Sequence, residues 1–201
     1  TTIHSSFSNQ GEICLCGSGI FIEKPIYEKF KSAFIAEAKK LKVGDPQHAD
    51  TKVGAIVSKQ HFDKIMYHIQ LAKDEGGTLL LGGNSVNPGG HNSEGWFIEP
   101  TLFENLSFDC RTNQEEIFGP VVTLTPFENI DEVIAMANST TYGLSATIWT
   151  ENLTQAHTLA AKLHCGIVWI NCWLLRDLRT PFGGSKGSGV GREGGEEAMR
   201  F

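Results

Sequence analysis

Cys14 lies in Asn9-Gln-Gly-Glu-Ile-Cys-Leu-Cys-Gly-Ser18, a stretch of turn formers and small polar residues ahead of the apolar run Ile20-Phe-Ile22. A thiol acts as a nucleophile only when it is reachable and its thiolate is electrostatically favoured, and turn formers are suited to holding one at the mouth of a cleft. A cysteine that merely fills a core satisfies the same letters, and this stretch alone does not decide between the two. Cys16 is a rival within Cys-x-Cys. Alternation along an extended segment would face both thiols the same way, so spacing cannot choose between them. A metal site at Cys14 and Cys16 is not expected, because no second ligand pair follows at suitable spacing. Arg176 and Arg179 stand in a polar loop after an apolar strand, where guanidinium groups can hold a carboxylate bidentately. The same arginines can instead be solvated or paired with Asp177. Gly189-Val-Gly-Arg-Glu-Gly194 matches the dinucleotide pattern G-x-G-x-x-G, but no apolar strand precedes it, so it is not read as a phosphate loop.

Helical and strand patterns alternate along the elements that must position these residues. Pro25 suits a first helical turn, with Ile26, Phe30, Phe34 and Ala38 recurring at helical spacing up to a stop at Gly44-Asp-Pro46. Ser58 is placed to cap a helix over Lys59 to Glu75 whose face carries Phe62, Ile65, Met66 and Ile69. Thr78 to Leu81 reads as a buried strand, and Asn84 to Gly95 as a surface loop. A strand follows at Val121 to Thr125, a helix at Asn129 to Asn138 and a strand at Ser145 to Trp149. Asn152 then caps a helix to His164, and Gly166 to Ile170 is a further strand. This alternation predicts an α/β fold with a mostly parallel twisted sheet and flanking helices.

With 201 residues, 40% of them hydrophobic and 20% charged, the chain can bury a substantial core. Its formal charge of -6 argues against a general nucleic-acid binder. No apolar run is long enough to span a bilayer, and the start of the chain lacks a signal-peptide pattern. The odd count of 5 cysteines, without regular spacing, fits a reducing compartment, and the cytoplasm is the expected location.

Three more segments, Glu115-Glu-Ile-Phe-Gly-Pro120, Trp169-Ile-Asn-Cys-Trp173 and Pro181-Phe-Gly-Gly-Ser-Lys-Gly-Ser-Gly-Val-Gly-Arg-Glu-Gly194, follow Cys14 in order. Together they closely resemble the C-terminal catalytic half of the NAD(P)-dependent aldehyde dehydrogenase superfamily, over nearly the whole chain. Asn171-Cys-Trp-Leu-Leu-Arg-Asp-Leu-Arg-Thr180 is most similar to the 2-aminomuconate and 2-hydroxymuconate semialdehyde dehydrogenases.

The resemblance implies roles. Asn9, Gly11 and Cys14 fit the family's Asn-x-Gly-x-x-Cys spacing, which makes Cys14 the nucleophile. Its thiolate would attack an aldehyde to give a thiohemiacetal, whose carbon would lose hydride to the nicotinamide of NAD (or NADP) and become a thioester that water releases as the acid. Its backbone N–H would help to hold the oxyanion. Glu116 and Phe118 would contact the nicotinamide ribose and ring; outside the family they read as an exposed carboxylate beside a core Phe. Arg176, and with less support Arg179, would bind a substrate carboxylate. The substrate would be a small aldehyde, and complete family members are homo-oligomers. Two departures stand out: Gly19 replaces a frequent Arg and Glu12 a frequent Gln, the latter placing a carboxylate near Cys14 that would disfavour the thiolate if it pointed inward.

The resemblance further implies that the chain, residues 1–201, is the thiol-bearing catalytic domain. The cofactor domain, general-base Glu, oxyanion-hole Asn and adenosine-side Lys would lie upstream, and the subunit-joining strand would begin after Phe201. The isolated chain is then expected to bind no nucleotide tightly and to be inactive as a dehydrogenase. A non-catalytic assembly or regulatory module and a thiol-dependent esterase are the competing readings.

Overall fold

The computed structural model describes residues 1–200, and the chain divides into two compact units, Thr2–Glu128 and, together with Thr1, Asn129 onward. Among the described residues no helix is long and apolar enough to cross a membrane.

The first unit opens with helix α1 (Thr2–Phe7) and a short 3-10 turn (Ser8–Gly11), then strand β1 (Gly19–Glu23). Helix α2 spans Tyr27–Ala38 and follows a 3-10 turn at Lys24–Ile26 that contains Pro25. It ends before the predicted stop at Gly44, because the chain turns at Lys39 and Lys40 into strand β2 (Lys42–Val43), paired in parallel with β3 (Thr51–Val53). Helix α3 (Lys59–Asp74) starts where its cap predicts: Ser58 Oγ accepts from the His61 N–H at 3.2 Å, filling one of the donors a helix start leaves open. Next come β4 (Thr78–Leu81), the short antiparallel pair β5 (Ser85–Val86) and β6 (Phe97–Ile98), β7 (Thr101–Glu104), the single-turn α4 (Arg111–Gln114) and β8 (Val121–Phe127).

The main sheet has the order β1-β8-β7-β4. β1 and β7 both run parallel to β8, with Gly19 opposite Thr123 and Thr101 opposite Val121, while β4 is antiparallel to β7. Apolar clusters flank this sheet. In one, Ile65, Ile69 and Ala72 of α3 pack with Ile98, Phe103 and Val121, with Phe62 and Met66 alongside, as the helical spacing predicts. In the other, Phe34 and Ala38 of α2 pack with Phe7, Ile22, Leu102, Val122 and Leu124. Tyr27 and Lys31 of α2 both donate to one carboxylate oxygen of Glu104, at 2.8 and 2.9 Å, and so fasten α2 to the end of β7.

Two expectations change. β4 was expected to be buried, yet it is the edge strand of its sheet, with Leu79 exposed. The expected loop from Asn84 to Gly95 contains β5, and the strands β2, β3, β5, β6 and β7 and the helices α1 and α4 were not expected at all.

The second unit contains helix α5 (Ile130–Asn138), capped by Asn129 Oδ1 on the Glu132 N–H, and strand β9 (Ser145–Ile148). Helix α6 (Leu153–Lys162) is capped by Asn152 Oδ1 on the Gln155 N–H, and strand β10 (Ile167–Ile170) lies parallel to β9. Beyond β10 a glycine-rich segment folds back on itself, and Phe182 and Glu193 exchange backbone hydrogen bonds of 2.7 and 2.8 Å. A Cβ at Gly183 would lie 2.2 Å from the Gly191 carbonyl oxygen, so close backbone packing is what this segment demands of glycine. Gly189 to Gly194 opens no helix following a strand, consistent with rejecting a phosphate loop there.

Candidate active site

The Cys14 loop begins in backbone that L-residues rarely adopt. Asn9, Gln10 and Gly11 have φ of 48°, 50° and 76°. Left-handed backbone costs a non-glycine residue about 1–2 kcal/mol, so the neighbourhood must hold it. Gln10 is held at both ends of its amide: Oε1 accepts from the Gly54 N–H and Nε2 donates to Glu12 Oε2, both at 3.2 Å. Gly11 is held by space, because a Cβ there would lie 2.2 Å from the Gly119 carbonyl oxygen. The loop bearing Cys14 therefore rests backbone to backbone against the segment that carries Glu116 and Phe118.

The extended geometry assumed for Cys14 and Cys16 is not found. The Cys16 N–H donates to the Ile13 carbonyl at 2.9 Å and closes a turn, with Leu15 buried as its anchor and Cys14 exposed at the corner. The two thiols consequently differ. Burial pushes the Cys16 thiol up to about 11, against the weaker lowering effect of its hydrogen bond at Ile13, so it stays protonated at neutral pH. The Cys14 backbone N–H donates to no backbone carbonyl among the described residues and is available to an oxyanion. The exit of the turn is pinned by the Gly17 N–H on the Ser5 carbonyl at 3.1 Å, by Ser6 Oγ on the Gly17 carbonyl at 2.8 Å, and by the Thr123 N–H on the Ser18 carbonyl at 2.9 Å.

Glu12 does not sit free beside the thiol. Its Oε1 accepts from the Val57 N–H at 3.2 Å and lies 3.6 Å from His61 Nε2, while its Oε2 takes Gln10.

Across the Gly11 contact, Phe118 also has left-handed backbone, with φ of 61°. Its carbonyl accepts from His61 Nε2 at 2.6 Å, and the His61 ring meets the Phe118 ring edge-on at 6.0 Å between centroids. The Glu116 side chain is exposed, and its carbonyl takes the Lys64 ammonium at 2.8 Å. The loop bearing Cys14 and the segment bearing Glu116 and Phe118, far apart in sequence, thus meet through Gly11 and Gly119 in the first unit. His61 was not anticipated from the sequence, because its role depends on a contact made 57 residues away.

Arg176 and Arg179 belong to the second unit. The loop that carries them follows Asn171, whose amide accepts from the Thr150 N–H at 3.0 Å and donates to the Thr150 carbonyl at 2.8 Å, extending the pairing of β9 and β10 by one position. Trp169 Nε1 donates to the Leu175 carbonyl at 2.9 Å and fixes the loop just before Arg176. The Arg176 guanidinium lies 3.9 Å from the Phe182 ring centroid and gives one N–H to Glu193 Oε1 at 3.0 Å. Arg179 is engaged by its neighbour Asp177 through contacts of 2.9 and 2.5 Å, and those hydrogen bonds hold the Asp177 carboxyl below its usual range. Arg179 thus pairs with Asp177, while Arg176, stacked on Phe182, gives one N–H to an acidic side chain among the described residues.

Among the described residues no group of three or more His, Cys, Asp or Glu side chains is arranged to hold a metal ion. The residues present fit a nicotinamide nucleotide in part: the exposed carboxylate of Glu116 is of a kind that suits ribose hydroxyls, and the half-buried Phe118 ring is of a kind that can support a nicotinamide ring.

The chain matches the aldehyde dehydrogenase family across residues 1–201. It is 46% identical over 195 residues to a 2-aminomuconic 6-semialdehyde dehydrogenase of a Pseudomonas species, covering 97% of this chain and 40% of that protein. The human 2-aminomuconic semialdehyde dehydrogenase is 43% identical over 202 residues, covering 100% of this chain and 42% of that one. The structure of an aldehyde dehydrogenase from Bacillus cereus in complex with NAD+ superposes with a TM-score of 0.93 at 37% identity, over 98% of this chain and 39% of the other. The chain thus spans about two fifths of the length of these relatives. On the match over its full length and the identity to these relatives, the chain belongs to the aldehyde dehydrogenase family.

Proposed function

We propose that this chain supplies the nucleophile and the nicotinamide-facing residues of an NAD-dependent aldehyde dehydrogenase that oxidises a carboxylate-bearing, muconate-type semialdehyde to its acid. The observation that carries the reading is the Cys14 corner: an exposed thiol on a backbone-locked turn, its companion Cys16 kept protonated by burial, resting against the turn that presents Phe118.

In this reading the Cys14 sulfur attacks the aldehyde carbon, and the developing oxyanion takes the Cys14 N–H. Glu116 and Phe118 hold the ribose and support the ring of the nicotinamide, which supplies hydride acceptance when bound. The thioester carbon left on Cys14 is then open to water. Glu12 is not taken as the base for the thiol or water in this reading, since it is held by Val57, Gln10 and His61.

NADP in place of NAD would use the same corner. Because its relatives are longer, the 201-residue chain alone, given NAD+ and an aldehyde, is expected to yield no NADH above background in an absorbance assay. Robust NADH formation contradicts the division of the site between this chain and a further part.

Arg176 supports this substrate class. Its oriented guanidinium suits a carboxylate, and the named activities of the semialdehyde dehydrogenase relatives agree with that choice. In the complete enzyme that the reading implies, Arg176→Lys is expected to raise KM for a carboxylate-bearing semialdehyde about tenfold or more, the size of one lost charged hydrogen bond. An uncharged aldehyde of similar length serves as the control and should show little change. Equal effects on both substrates in steady-state kinetics remove Arg176 from the carboxylate site.

A further inference from the structure

Glu12 places a carboxylate two residues before the Cys14 thiol, and a negative charge beside a thiol opposes the thiolate. The geometry shows where that charge is kept. The Glu12 side chain is only 7% exposed, whereas Cys14 is exposed. Its carboxylate oxygens meet Gln10, the Val57 N–H and His61, none of which is part of the turn from Ile13 to Cys16. A carbonyl can only accept, so the 2.6 Å contact between His61 Nε2 and the Phe118 oxygen puts the ring proton on Nε2. That N–H points its positive end at the Phe118 carbonyl and also lies 3.6 Å from Glu12 Oε1. The ring itself is fixed, by its place in the first turn of α3, where its backbone N–H takes the Ser58 cap, and by its edge-on contact with Phe118.

We propose that His61 is a positioning residue for the nucleophile. Its Nε2–H holds the Phe118 carbonyl by a hydrogen bond and turns its positive end toward the Glu12 carboxylate at 3.6 Å, which draws the Glu12 charge toward the start of α3 and off the Cys14 thiol. Without the imidazole the Glu12 carboxylate keeps Gln10 and the Val57 N–H but loses the positive N–H end on its third side, and its charge is less firmly held away from the Cys14 turn. Phe118 also loses the hydrogen bond that holds its left-handed backbone. The inference rests on the reading of Cys14 as the nucleophile.

The test is the rate at which iodoacetamide alkylates Cys14 in the folded 201-residue chain, resolved from the other cysteines by peptide mass spectrometry. His61→Leu is expected to slow Cys14 by about three- to tenfold at neutral pH, since one unit in a thiol's pKa changes its thiolate fraction tenfold. His61→Gln, whose amide can donate to both Glu12 and Phe118, is expected to stay near the wild-type rate. In a Glu12→Gln background His61→Leu is expected to have no effect, because the charge it releases is gone. A folded His61→Leu chain with an unchanged Cys14 rate overturns the proposal. So does slowing that persists in the Glu12→Gln background, which would mean that His61 acts through packing. If His61→Leu does not fold, His61→Asn, polar but too short to span both partners, takes its place with the same expected slowing and the same overturning results. A wild-type Cys14 no faster than the other cysteines refutes the nucleophile reading itself, whereas a fast Cys14 indifferent to His61 refutes only this inference.

Discussion

Gly11→Ala is expected to destabilise the first unit by about 3 kcal/mol or more, lowering its melting temperature by about 10 °C. Two independent penalties coincide. The backbone at Gly11 has φ of 76°, where any Cβ is strained. The added Cβ would also stand 2.2 Å from the Gly119 carbonyl oxygen and 2.4 Å from its carbon, and those are backbone atoms that no rotamer change can move aside. Gly119 cannot retreat easily either, because Ile65 of the core packs behind it. Relief must separate the Cys14 loop from the Phe118 turn, so alkylation of Cys14 should change along with stability. Differential scanning calorimetry decides: a melting temperature unchanged within about a degree refutes the backbone-contact account of this corner.

Cys14→Ser is expected to reduce aldehyde oxidation by the complete enzyme by about three orders of magnitude or more, while Cys16→Ser is expected to leave most of it. A serine hydroxyl is a far weaker nucleophile at neutral pH than a thiol and departs poorly from the acyl carbon. Cys16 cannot substitute, because burial pushes its thiol up to about 11 and leaves almost no thiolate at neutral pH. The same shift has a consequence for stability. The folded state holds the Cys16 proton more tightly than the usual 9.0 of an unfolded chain, so this contribution is full below pH 9.0 and declines as pH rises toward about 11.

Much of this architecture was legible in the residues. Ser58 and the spacing of Phe62, Ile65, Met66 and Ile69 define α3 because a cap and an amphipathic face are local properties. The caps Asn129 and Asn152 did the same for α5 and α6. Strand β7 was missed: Thr101 to Glu104 is short, follows Pro100, and becomes a strand only through pairing with β8 and β4. Thr78 to Leu81 looks alike to pattern reading whether it lies at the centre of a sheet or, as here, at its edge.

At the site, the family's Asn-x-Gly-x-x-Cys spacing singles out Cys14, but the physical difference between its thiol and that of Cys16 was not legible. That distinction depends on the turn closed between Ile13 and Cys16, which follows the left-handed run at Asn9, Gln10 and Gly11. The direction of Glu12 and the part played by His61 were illegible for the same reason: each rests on partners brought in from the start of α3 and from Phe118.

The central claim is that Cys14 is the atom that attacks an aldehyde. Its most direct test is carbon NMR of an aldehyde labelled with 13C at the carbonyl, titrated into the 201-residue chain. A tetrahedral thiohemiacetal resonance is expected with wild type and with Cys16→Ser, and its loss with Cys14→Ser. A resonance that survives Cys14→Ser, or that disappears with Cys16→Ser instead, contradicts the account.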